Sequence, residues 1–115
     1  MRRNWVVTCT KFKTVRELLE EQEKTKDMCK RILIALQACN NEIIELSHDC
    51  GWHEDFVEFS SELYDAICQI DMEEYYSTCE EIVNNCLKEM YNLCDDASVW
   101  LAIIKINGVY CKVNI

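Results

Sequence analysis

Proline is absent from this chain, and glycine occurs only at Gly51 and Gly108. So little punctuation excludes proline-rich linkers and glycine-rich phosphate loops, and it leaves long uninterrupted elements as the expectation. No apolar run approaches the roughly 20 residues that span a bilayer, and MRRNWVVTCTK lacks the apolar core of a secretory leader. A soluble, cytoplasmic protein is expected. The most selective absence is of positive charge: between Ile32 and Leu87 there is no Lys or Arg at all.

What is present fills one domain, residues 1–115, half of it apolar despite a net charge of −9. That balance suits a folded chain with a core of its own. Nine cysteines are an odd count for a complete disulfide framework. Without a secretory leader the expected compartment is reducing. Cys29, Cys79, Cys86 and Cys94 fall on or beside apolar stripes, so they read as core thiols behaving as small hydrophobes.

The apolar period is helical over most of the chain. From Val15, residues Leu18, Leu19, Cys29, Ile32, Leu33, Leu36, Ile43 and Ile44 mark a first helix. Thr14 and Glu17 form its capping box. The stripe runs to about Ser47, a length of roughly 50 Å, with a break near Cys39–Asn41 as the alternative. Gly51 is placed to close it in the left-handed conformation. A second helix buries Phe56, Phe59, Leu63, Ile67 and Ile70. A third, capped by Asp71 with Glu74, buries a broad side made of Met72, Tyr75, Tyr76, Cys79, Ile82, Val83, Cys86, Leu87, Met90, Leu93 and Cys94.

At the end the period changes to two. Asn107-Gly108 is a strong hairpin signal, pairing Ile106 with Val109, Ile104 with Cys111, Ala102 with Val113 and Trp100 with Ile115. Residues 4–11, NWVVTCTK, are the natural third strand. The expected fold is therefore α+β: three or more helices packed on a small antiparallel sheet with a C-terminal β-hairpin.

Charge is strongly segregated. Residues 1–31 carry nine basic and five acidic side chains, whereas Ile32 to Leu87 carry thirteen acidic ones and no base. Glu54, Glu58 and Glu62 stand in successive like-charge i,i+4 pairs, each costing about 0.2–0.5 kcal/mol. Keeping that cost over two helices points to a negative field that steers basic partners. Nucleic-acid-binding grooves are lined with Lys and Arg, and carboxylates along a helix imitate the phosphates they hold. In size and acidic composition the chain is similar to the small inhibitors that phages and other mobile elements direct against host nucleases, anti-CRISPR proteins among them. That similarity implies a non-enzymatic nucleic-acid mimic occupying the basic groove of a larger enzyme. The expected contacts are Glu54, Glu58, Glu62, Asp65, Glu73, Glu74, Glu80 and Glu81, with Trp52 as an apolar anchor. The alternative is a small homo-oligomeric structural or adaptor protein, in which the basic end meets the acidic surface of a second copy as a homodimer.

Direct nucleic-acid binding is not expected. Arg2, Arg3, Lys11, Lys13, Arg16, Lys24, Lys26, Lys30 and Arg31 lack aromatic interleaving and any helix-turn-helix or zinc-finger spacing. His48, Cys50 and His53 are metal-ligand types, but without a C-x-x-C pair their clustering reads as a polar turn. Nothing marks an oriented nucleophile or a separated acid–base pair. No cofactor and no enzymatic activity are expected.

Overall fold

The computed structural model describes residues 13–14, 17, 20, 24–97, 103–106 and 109–112. Three helices dominate: α1 Lys26–Leu46, α2 His53–Met72 and α3 Tyr76–Asp96. Each is about 30 Å long. Residues 47–52 and 73–75 join them, and such short links fold consecutive helices back on one another.

Each helix supplies five residues to one core: Met28, Cys29, Ile32, Leu33 and Leu36 from α1; Phe56, Phe59, Leu63, Ala66 and Ile70 from α2; Cys79, Val83, Leu87, Met90 and Cys94 from α3. The spacings repeat at three and four residues, so each set forms one side of its helix. A side chain such as Leu63, fully buried, contributes about 2 kcal/mol through lost contact with water. The Cys29 and Cys94 thiols are held protonated by this burial, their pKa values pushed up to about 11 and about 12.

The architecture is an all-helical three-helix bundle, and the α+β expectation is overturned. Fifteen buried apolar side chains, five from each helix, form one cluster, so the three helices cover one another. The extended segments are short: β1 Lys13–Thr14, β2 Ile103–Ile106 and β3 Val109–Lys112. β2 runs antiparallel to β3 with Ile106 opposite Val109, whereas β1 meets β3 in parallel, Lys13 opposite Cys111, so the pairing is not an antiparallel sheet. The strand expected over residues 4–11, the Asn107-Gly108 turn and the outer pairs Ala102–Val113 and Trp100–Ile115 lie outside the described residues.

Helix boundaries also differ from expectation. Thr14 and Glu17 do form reciprocal capping hydrogen bonds, each backbone N–H donating to the other's side chain at 3.0 Å. The long first helix is nevertheless interrupted: Thr25 is extended and accepts a hydrogen bond from the Met28 N–H at 3.1 Å, starting α1 at Lys26. No break occurs at Cys39–Asn41. Asn40 is fully buried there, and its Nδ2 donates to the Phe56 carbonyl at 2.9 Å, tying α1 to the first turns of α2. Gly51 closes no helix, because α1 ends at Leu46 with Ser47 as its cap, and Gly51 has no positive φ and open space where a Cβ would sit.

Asp71 does not cap α3 either; it lies in the last turn of α2. Lys30 Nζ of α1 pairs with its carboxylate at 2.8 Å, and Lys26 Nζ donates to the main-chain carbonyls of Asp71 and Glu73. α2 has no basic residue in its final turn, and α1 supplies positive charge to the carbonyl-rich end instead. Met72 and Tyr75, expected in the core, are 84% and 69% exposed. No helix among the described residues is long and apolar enough to cross a membrane.

Candidate protein-binding surface

α2 carries the densest acidic surface. Successive residues of a helix are about 100° apart, so Glu54, Glu58 and Asp65 fall within about 40° of each other, in steps of about 6 and 10 Å along the axis. All three are exposed, and none has a basic partner among the described residues. Glu54 and Asp55 also occupy the first turn of α2, where the helix dipole favours negative charge. Two ion pairs among the described residues, Lys30–Asp71 and Arg31–Asp27, involve the N-terminal half of α1.

Glu62 is turned further round α2, toward α3. It lines a groove of about 190 Å³ with Phe59 and Gln69 of α2 and Ile82, Cys86 and Glu89 of α3. Two carboxyl groups thus meet across a partly apolar cleft. Burial, then hydrogen bonding and repulsion from Glu62, push the Glu89 pKa from 4.5 to about 6. In the same cleft, burial together with Glu89 and Glu62 pushes the Cys86 thiol up to about 11. Glu89 was not among the expected contacts; its signal was its place beside Cys86 and Met90, on the edge of the α3 stripe.

The other expected contacts are dispersed. Glu73 and Glu74 sit in the α2–α3 link, Glu73 half-buried and Glu74 exposed. Glu80 faces α1, accepting a hydrogen bond from the Tyr76 hydroxyl at 3.2 Å. Burial and the neighbouring Cys29 and Glu80 push the Tyr76 hydroxyl up to about 12. Glu81 is exposed, about 100° further round α3 from Glu80. The eight acids therefore make no single array: α2 holds four, and the rest are spread over the link and two sides of α3.

Trp52 precedes α2 and is half-buried, packed edge-on against Phe56 with ring centroids 5.3 Å apart. It is part of the rim of the core. In the adjoining turn the His48 and His53 rings lie 5.0 Å apart, and Ser47 Oγ lies 3.0 Å from His53 Nδ1. Among the described residues no three His, Cys, Asp or Glu side chains are grouped to hold a metal ion.

No protein-family model, curated protein or solved structure matches this chain.

Proposed function

We propose that the acidic side of α2 binds a basic surface on a larger protein, a nucleic-acid-handling enzyme whose groove it occupies in place of phosphates. The protein acts without catalysis of its own. The observation that carries this reading is the exposure of Glu54, Glu58 and Asp65 along one line of α2 without a basic partner among the described residues. Such a line produces a negative potential that attracts Lys- and Arg-rich surfaces and speeds their association.

The test is affinity capture from nuclease-treated lysate, followed by a salt gradient and identification of what elutes. One dominant basic nucleic-acid-binding protein, released by moderate salt and no longer captured by the Glu54→Lys, Glu58→Lys, Asp65→Lys variant, supports the proposal. Undiminished capture by that folded variant refutes it. Self-association of the basic end with the acidic side is the second reading, in which Lys26 and Lys30 take no part while they are engaged at the end of α2. Sedimentation velocity over a range of concentrations distinguishes the two readings.

A further inference from the structure

A helix on the surface of a bundle normally shows polar residues opposite its core side. α2 departs from this. Val57, Tyr64, Cys68 and Met72 recur at intervals of seven, four and four residues, and all four are exposed, Tyr64 by 62% and Met72 by 84%. They fall within about 80° of one another around the helix, nearly opposite the side that buries Phe56, Leu63 and Ile70. The stripe is about 22 Å long and one row of side chains wide. Glu54, Glu58 and Asp65 run beside it, between the stripe and the α3 groove.

We infer that this side of α2 docks a partner α-helix with an apolar seam flanked by lysines or arginines. The seam packs on Val57, Tyr64, Cys68 and Met72, and the flanking cations reach Glu54, Glu58 and Asp65. The inference rests on the reading of the acidic side as a docking surface and specifies what docks there. Length and straightness suit a helix of about four turns, the mode in which apolar anchors recur every three or four residues. Charge selects the occupant: anionic lipid and nucleic acid are repelled, and a second copy packing α2 on α2 sets acid against acid.

The experiment uses the full chain and two peptides of about 18 residues made only of leucine and lysine, one with leucines at helical spacing and one scrambled, with binding read by fluorescence anisotropy. The patterned peptide is expected to bind about tenfold more tightly. Val57→Ser with Tyr64→Ser, both exposed positions, should erase that preference and leave the scrambled peptide's affinity unchanged. Glu54→Lys with Glu58→Lys and Asp65→Lys should weaken both peptides. Equal affinity for the two peptides, unaffected by the serine changes, overturns the helix inference and leaves the acidic reading standing. Undiminished binding of both peptides by the lysine variant overturns the acidic reading. A dimer in sedimentation equilibrium that the serine changes dissociate identifies a second copy as the occupant and also overturns the inference.

Discussion

Replacing Glu89 by glutamine isolates the energetics of the α2–α3 groove. Glu89 faces Glu62 across the cleft, and its pKa rises from 4.5 to about 6 in the folded protein. The folded state therefore binds a proton more tightly than the unfolded chain. The resulting stabilisation is complete below pH 4.5 and lost as pH rises through about 6. The shift corresponds to about 2 kcal/mol, and solvent screening in this open groove reduces it to about 1 kcal/mol. Glu89→Gln keeps a neutral hydrogen-bonding side chain at every pH, so the variant should be more stable than the parent at pH 7.5 by about 1 kcal/mol. That difference should vanish by pH 4.5. Urea unfolding of both proteins at half-unit pH steps measures it, and comparing the two curves cancels the titration of other carboxylates. Parallel stability curves across the range would refute the carboxyl pairing. Glu62→Gln should give a smaller gain at pH 7.5, because burial, the largest cause of the Glu89 shift, remains when the neighbouring charge is removed.

Three further outcomes test the bundle. Leu63→Ala opens a cavity in the core, where this side chain is fully buried, and should cost about 3 kcal/mol in chemical denaturation, without changing the acidic surface. Gly51→Ala should be tolerated or stabilising by about 0.5 kcal/mol in thermal unfolding, since Gly51 has no positive φ and a Cβ meets no atom. Alkylation at pH 8 should label Cys50 and Cys68 within the native protein, both exposed, while Cys29 and Cys94 react only on unfolding; mass spectrometry of the labelled peptides reads the order.

The core was legible in the sequence because helical periodicity records which side of each segment avoids water. Leu33, Phe59, Leu63, Val83, Leu87 and Met90 were all assigned to the buried stripes, and all are buried. Boundaries were less legible. Residues 20–27 hold no apolar side chain, so the period does not mark where α1 starts, and Asp71 has the local pattern of a helix start although it lies inside α2. The fold class failed for a related reason: strand propensity near the C-terminus implied a layer that the core requires, yet three helices with five core residues each close on themselves. The acidic residues of α2 were found by charge and spacing. Their separation from Glu80 and Glu81 depends on how α3 packs, which no local pattern carries, and Glu89 acquires its partner only through the same packing.

The corner between α2 and α3 contains neither glycine nor proline, and Tyr75 offers no side-chain cap to α3. Its instruction comes from 41–47 residues earlier in the chain, through Lys26 and Lys30. The turn thus draws on the assembled bundle as well as on the short segment that makes it. Translated from the N-terminus, the chain has the two lysines in place before the corner exists. A fragment beginning after α1 keeps the apolar sides of α2 and α3 but loses the cations that hold the carbonyls and carboxylate at their corner.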